Sequence, residues 1–312
     1  MPRFIFQMDP HSKLRFETDS TIALIVASIR KNVDTYYYLR RNLFYHEDNL
    51  KALAKKLYLE DNKIVEGNEE VVELENFDVV FLRDEPPFDM SYITATYLLE
   101  RLPKSVRVIN NPQSVRNFPE KISALNYKKY MVATCISQNF EIIKEFFNKN
   151  KVVVLKPLHS FGGRDISMID SKTKLLSCFK ELVANYPNIP VVVQKFIPNV
   201  KKGDKRVLLF DGEIIGAINR VPPEGGYISN LVAGGTAERT ELSDLEIKIS
   251  SEIAKDLKEQ GIIFAGLDLI DGYLSEINVT CPTGIMSVNK IYNLPAEKML
   301  ESMMIEKILS QI

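Results

Sequence analysis

Cysteine is scarce in this chain. Only Cys135, Cys178 and Cys281 occur, widely spaced and with no Cys-x-x-Cys pair. Such an odd, sparse set excludes a disulfide framework and a cysteine zinc site, and it points to a reducing compartment. Net charge is lacking too: 40 basic against 41 acidic residues leave a formal −1. No global field therefore recruits nucleic acid or an anionic membrane, and an anionic substrate must be held by local groups. No stretch approaches the roughly 18 consecutive apolar residues that span a bilayer. The run Phe4-Ile5-Phe6 is too short for a signal peptide. The expectation is a cytoplasmic protein with no membrane and no nucleic-acid partner.

Nucleophile signatures are missing as well. His11, His46 and His159 fall in no motif. The chain contains no Gly-x-Ser-x-Gly, no His-Glu-x-x-His and no Gly-x-x-x-x-Gly-Lys-Ser/Thr. No Gly-x-Gly-x-x-Gly follows the first strand, which disfavours a dinucleotide-dependent dehydrogenase. Cys281 has no histidine near it in sequence and reads as a small packed side chain. What is left is chemistry in which positioning and charge neutralisation dominate, as in phosphoryl transfer.

Apolar residues at 45% and charged residues at 26% are ordinary for a globular chain, and 312 residues are enough for two or three compact units. Residues 1–120 alternate strand and helix: Phe4-Ile5-Phe6, a helix striped by Ile22, Ile25, Val26 and Ile29 and capped from Thr18, Asp19 or Ser20, then Val79–Leu82, a helix near 93–102, and Val106–Ile109. That alternation predicts an α/β layer with a mostly parallel sheet. Residues 42–75 break the pattern and read as a side hairpin. A second unit, 121–200, holds Val152–Leu155, a helix near 172–185, and Val191–Val193. The third, 201–312, is richer in hairpins and brings α+β elements into the C-terminal half. Asp211-Gly212 there is a two-residue hairpin signal. Residues 222–236 are Gly- and Pro-rich without periodicity, as in mobile functional loops. Ser243-x-x-Glu246 is a capping box opening a helix whose expected inner face is Leu245, Ile249, Ile253 and Leu257, with Gly261 at its end.

Two groups could carry chemistry. Glu276 and Asn278 are two apart and share a strand face, and Asp268 can join them from the preceding strand. Two carboxylates and an amide oxygen are hard ligands suited to Mg²⁺. Set among Leu267, Leu269, Leu274, Ile277 and Val279, the acids need a partner; a polar strand face in solvent is the plain alternative. The register decides whether all three meet. A two-residue Asp271-Gly272 turn sets Asp268 opposite Ser275 and points it away from Glu276, whereas a three-residue Ile270-Asp271-Gly272 loop restores the common face. The three-residue loop is the expectation. Phosphate-binding cations form the second group. Lys156 closes the apolar strand before Pro157, with Gly162-Gly163 close behind. Lys121 and Arg206 are further candidates, although each charge taken singly is commonly an exposed surface residue.

Taken in order, Asp9-Pro10, Asp19-Ser20, Glu85–Asp89, Asn111–Arg116, Glu120-Lys121, Leu155–Leu158, Lys202-Gly203-Asp204-Lys205-Arg206-Val207 and Leu274–Gly284 span nearly the whole chain. In them the sequence resembles bacterial glutathione synthetase, of the ATP-grasp superfamily. The resemblance implies a three-domain ATP-grasp architecture. It gives Lys121 and Lys156 to the ATP phosphates, with Gly162 and Gly163 beside them. Gln194, Lys195, Phe196 and Ile197 fall to the adenine pocket, and Arg206 to phosphate or the activated carboxylate. Asp268, Glu276 and Asn278 carry Mg²⁺ (or Mn²⁺). Asp19, Ser20, Pro282, Thr283 and Gly284 lie on the substrate side, and Asn230 on the closing loop is catalytic with Lys156 and Arg206. The implied substrates are ATP, γ-glutamylcysteine and glycine, and the implied assembly is a homo-oligomer, a tetramer by the family pattern.

The chain departs from that pattern on the substrate side. Ile228 and Thr236 stand where the loop usually carries arginines, Met286-Ser287 where a polar or acidic pair is usual, and His159-Ser160-Phe161 where small residues are usual. Two rival expectations follow: an ATP-grasp ligase with a different peptide or amino acid, and an ATP-binding regulatory protein that no longer ligates.

Overall fold

A computed structural model describes residues 1–312 except Arg15, Glu17 and Phe161, and except the side chain of Val232. Three sheets follow one another along the chain. The first has strands β1 (Arg3–Met8), β2 (Asp34–His46), β3 (Asn49–Glu60), β4 (Lys63–Glu73), β5 (Val79–Arg83) and β6 (Arg107–Ile109), in the order β4-β3-β2-β1-β5-β6. β1 pairs in parallel with β2 and β5, and β5 with β6. Between β1 and β2 runs helix α1 (Ser20–Arg30), and between β5 and β6 runs α2 (Met90–Leu99). β1 and β5 are buried on both faces, which is why they read as continuous apolar runs. Asp19 is the N-cap of α1, its carboxylate accepting from Thr21 N at 2.6 Å and Ile22 N at 3.2 Å.

Residues 42–75 correct the side-hairpin expectation. They belong to long antiparallel strands that extend the first sheet. In β3, Leu50, Ala52 and Ala54 face inward and alternate with Lys51, Leu53 and Lys55. Two of the three inward residues are alanines, so the hydropathy alternation is weak although the packing is real.

After β6 come α3 (Pro112–Asn117) and α4 (Glu120–Ser123). The second sheet has β7 (Thr134–Ser137), β8 (Val153–Pro157), β9 (Ser167–Ile169) and β10 (Val191–Lys195), all antiparallel, in the order β7-β10-β8-β9. Helices α5 (Phe140–Asn150) and α6 (Lys172–Asn185) cover one face through Ile143, Phe147, Leu175 and Leu182. The third sheet has β11 (Asp204–Phe210), β12 (Glu213–Val221), β13 (Thr236–Glu238), β14 (Phe264–Ile270) and β15 (Tyr273–Asn278), in the order β13-β12-β11-β14-β15. Helix α7 (Asp244–Glu259) covers one face with Ile249, Ile253 and Leu257, and it opens on the Ser243/Glu246 capping box. Leu245 is a correction: at helix position two it is 52% exposed and faces away from that core. Residues 222–235 contain only a short 3-10 turn, Leu231–Ala233.

The C-terminal helices α8 (Ile285–Tyr292) and α9 (Leu300–Leu309) turn back onto α1. Phe4, Leu24, Phe81, Leu208, Ile285, Met304 and Ile308 share one core, so the first and third sheets are packed together. Asn110 locks the junction. Its Oδ1 accepts from Ile263 N and Phe264 N, both at 2.8 Å, and its Nδ2 donates to Phe264 O at 2.7 Å and Val279 O at 2.8 Å. Asn110→Ala leaves these backbone groups buried without partners. It is expected to lower unfolding free energy by about 3 kcal/mol or more. Urea denaturation checks this, with Asn76→Ala as a surface control.

Candidate active site

An open cleft of about 880 Å³ lies between the second and third sheets. Strand alternation sends Val154, Lys156 and Gln194 toward it, while Val153, Leu155 and Val193 turn to α5 and α6. Lys195, Phe196 and Ile197 line the cleft, as do Lys121, Gly162 and Gly163. Every residue assigned to ATP from the sequence is therefore in one cavity, apart from Arg206, which lies behind Asp268.

The two lysines converge. Lys156 Nζ is 3.3 Å from Glu276 Oε1, and Lys121 Nζ is 3.8 Å from the same oxygen while donating to Ser160 O at 2.6 Å. Burial opposes ionisation of Glu276, but Lys121 and Lys156 outweigh it and hold the carboxyl below its ordinary range. Asp268 is held more tightly. Arg206 grips it through Nε at 2.6 Å and Nη2 at 3.0 Å, and Arg220 Nη2 adds a contact at 2.9 Å. Burial again opposes the charge, and the two arginines pull the carboxyl well below the usual carboxylate range.

The hairpin joining β14 and β15 corrects the expected loop. Asp271 (φ 52°) and Gly272 (φ 77°) form a two-residue turn, with Ile270 opposite Tyr273 and Leu269 opposite Leu274. A bulge then takes up Ser275, and Asp268 falls opposite Glu276 after all. The common face expected of Asp268, Glu276 and Asn278 is present, produced by a bulge and not by a longer loop. Asn278 Nδ2 lies 3.3 Å from Asp268 Oδ2; a half-turn of the amide presents its oxygen to the same space. Among the described residues no group of three His, Cys, Asp or Glu side chains could hold a metal ion. The set present, two carboxylates and an amide, fits a Mg²⁺-type ion that draws its remaining ligands from phosphate and water.

The loop 222–236 lies against the Gly-Gly turn. Gly162 (φ 67°) and Gly163 (φ 79°) are left-handed, and a Cβ on Gly163 would stand 2.7 Å from Ile228 Cγ2 and 2.9 Å from Asn230 Oδ1. Asn230 thus meets the cleft as expected. Tyr227 pins the loop to the edge of the second sheet, accepting from Met168 N and donating to Ile166 O, both at 3.3 Å.

The residues assigned to the substrate side do not line this cleft. Asp19 is the cap described above. Ser20 Oγ accepts from Gly284 N at 3.1 Å and Ile285 N at 3.3 Å, tying the Pro282-Thr283-Gly284 turn to α1. Pro282 O accepts from Arg83 Nη2 at 2.9 Å, and Thr283 O from Arg206 Nη1 at 3.2 Å. They gather on the far side of Arg206, where the first and third sheets meet.

Several groups at the site carry no obvious signal in the sequence. Arg220, from the polar end of β12, bridges Asp204 (2.6 Å) and Asp268 (2.9 Å), and Ser229 Oγ donates to Asp204 Oδ2 at 3.1 Å. Burial pushes the Asp204 carboxyl up to about 6 against the pull of Arg220. Burial likewise pushes Glu120 up to about 7, although Lys121 opposes it. The spacing of Asp204 and Arg206, two apart on β11, was the available clue that both face one side.

Solved structures with this architecture include the D-cycloserine synthetase DcsG (TM-score 0.67, 16% identity, covering 98% of this chain and 99% of that one). Another is the ATP-grasp ligase PsnB with its minimal precursor (TM-score 0.66, 15% identity, 99% of each chain). The fold is ATP-grasp, and the chain is an ATP-dependent carboxylate–amine ligase of that class. Residues 3–116 match the prokaryotic glutathione synthetase N-terminal domain, and residues 120–293 match the ATP-grasp domain of the same enzymes. Glutathione synthetase of Rhodopseudomonas palustris is 40% identical over 288 residues, 91% of this chain and 92% of that protein. The Parasynechococcus marenigrum enzyme is 39% identical over 294 residues, 94% and 95% of the two chains. The chain belongs to the prokaryotic glutathione synthetase family.

Two outcomes are expected. Lys156→Ala should lower turnover at saturating ATP on the order of a hundredfold or more, because a preorganised charge is lost from the transferring phosphate; steady-state ADP release measures it. Tyr227→Phe removes the donor and acceptor that hold the loop to β9. Limited proteolysis should then cut within 222–236 faster than in the parent chain, and ATP should slow the cut in both.

Proposed function

We propose that this chain joins the cysteinyl carboxylate of γ-glutamylcysteine to the amine of glycine, with ATP converted to ADP and phosphate. It works in the cytoplasm as a homo-oligomer, a tetramer in the family pattern. Its units are 1–120 for substrate, 121–200 and 201–312 for the nucleotide. The observation that supports this reading is the convergence of Lys121 and Lys156 on Glu276 within the cleft.

In the first step a carboxylate oxygen of the peptide takes the γ-phosphoryl group, the terminal P–O bond of ATP breaks, and ADP leaves. Lys121 and Lys156 hold phosphate oxygens, and Gln194 to Ile197 hold the adenine edge. Arg206 steadies the acyl phosphate. Asp268, Glu276 and Asn278 would hold Mg²⁺, or Mn²⁺ in its place, and such an ion would supply charge neutralisation on the phosphate oxygens. In the second step the neutral amine of glycine attacks the carbonyl carbon. The C–O bond to phosphate breaks, and one proton is released as the amide forms. The loop 222–236, with Asn230, closes against Gly162-Gly163 and keeps water from the acyl phosphate. Asp19, Ser20 and the Pro282-Thr283-Gly284 turn shape the peptide side.

A second reading keeps the chemistry and changes the substrate. Ile228 is favoured for it, since this residue packs an apolar side chain onto Gly163 where the family pattern carries an arginine. Mass spectrometry of the product formed from γ-glutamylcysteine, glycine and ATP, with ADP measured in parallel, separates the two. Glutathione and ADP in equal amounts are expected. ADP released with no tripeptide, or only with another peptide or amine, favours the second reading; no substrate-dependent ADP contradicts both.

A further inference from the structure

Helix α2 carries apolar residues on every side. Tyr92, Ala95 and Leu99 are buried, and Ile93 and Leu98 are half-buried. Met90 and Tyr97 stand on the outer side, 68% and 50% exposed. A helix apolar all round is normally enclosed, and among the described residues of one copy α2 is covered on its inner side only. Seven residues, close to two turns, separate Met90 from Tyr97, so both lie on one outward stripe, with Ile93 and Thr94 flanking its midpoint. Tyr97 is not a loose side chain. The Arg116 guanidinium lies 4.1 Å from the centre of its ring and is itself fixed by Glu100 Oε1 at 2.5 Å and Thr96 Oγ1 at 3.1 Å. The ring is held in place with half of its surface in solvent.

We propose that the outer face of α2 is the centre of an interface between two copies of this chain, with the two helices antiparallel across a two-fold axis. The spacing fixes the register. An axis passing between Ile93 and Thr94 sets Met90 of each copy against Tyr97 of the other, so one self-complementary stripe makes the same sulfur–aromatic contact twice. Thr94, exposed and small, lies next to the axis and lets the helices approach. Charge selects the antiparallel arrangement. Exposed acids, Glu85 and Asp89, stand at the start of α2, and exposed bases, Arg101 and Lys104, follow its end. Glu100, the acid at that end, is already taken by Arg116. Antiparallel copies bring each acidic end to a basic one and oppose the helix dipoles, whereas parallel copies set like charges together. Ten residues span about 15 Å, so the helix pair forms the apolar centre and the charged ends form the rim, the usual anatomy of a stable interface. The inference rests on the homo-oligomer part of the reading above and is independent of the chemistry at the cleft.

The test follows the full chain by sedimentation velocity over a dilution series and by cross-linking. The parent chain is expected to sediment as a dimer or a higher even-numbered assembly at micromolar concentration. Met90→Glu combined with Tyr97→Glu places like charges opposite each other at both contacts. It is expected to raise the dissociation constant of this interface about a hundredfold or more, at exposed positions where the fold of one copy is unaffected. Thr94→Cys tests the register without a charge change and decides the matter even if the charged variant does not fold. Mild oxidation should join its copies through an interchain disulfide, while Met303→Cys, exposed on α9, should cross-link no more than the parent. A parent chain that assembles while Thr94→Cys gives no cross-link, or while the folded charged variant dissociates no more readily, uses another face; that overturns this interface and leaves the homo-oligomer reading standing. A parent chain that is monomeric throughout overturns both.

Discussion

A buried carboxylate, Asp268, and a half-buried one, Glu276, facing four buried cations form the constraint around which the rest of this molecule is arranged. Asp268 is held by Arg206 and Arg220, and Glu276 by Lys156 and Lys121. Neither acid could be ionised at such depth alone, and none of the cations could be buried alone. The set is balanced so that charge can be exchanged. In the proposed function, a polyphosphate entering the cleft gives the lysines new partners and leaves the carboxylates to a divalent ion. Because the groups are already desolvated and oriented, the exchange needs little rearrangement, which is what electrostatic preorganisation requires of a phosphoryl-transfer site.

The scaffold serves this charge set in identifiable ways. β8 and β11 present Lys156 and Arg206 at alternating positions whose neighbours are anchored in two separate cores. The bulge at Ser275 places Asp268 and Glu276 across from each other. Asn110 fixes the start of β14 relative to the first sheet. Ser20 and Arg83 clamp the turn after β15. The path Ser229–Asp204–Arg220–Asp268 runs from the loop 222–236 into the carboxylate pair through direct contacts. The loop and the face carrying Asp268 therefore share one chain of direct contacts.

Much of this was legible in the sequence where a local rule has one outcome. A lysine ending an apolar strand, a Gly-Gly pair behind it, a capping box and the Asp211-Gly212 turn each translate directly into geometry, and they led to Lys156, Gly162-Gly163, α7 and the β11–β12 hairpin. Legibility failed where tertiary context decides. A bulge leaves no residue-level mark, so the common face of Asp268 and Glu276 was attributed to the wrong loop. The alanines in β3 hide a buried strand face as a polar stretch. Leu245 follows the helical period of α7 yet stays exposed outside the core that Ile249, Ile253 and Leu257 join. Glu120, Asp204 and Arg220 are ordinary charges until three sheets are folded around them.

The account turns on a carboxylate that becomes an acyl phosphate before the amine attacks. γ-Glutamylcysteine carrying ¹⁸O in its cysteinyl carboxylate tests this directly, with the phosphate released during ligation analysed by mass spectrometry. One labelled oxygen should pass from the peptide into each phosphate formed. Phosphate free of label, with the peptide ligated, would contradict the proposed mechanism.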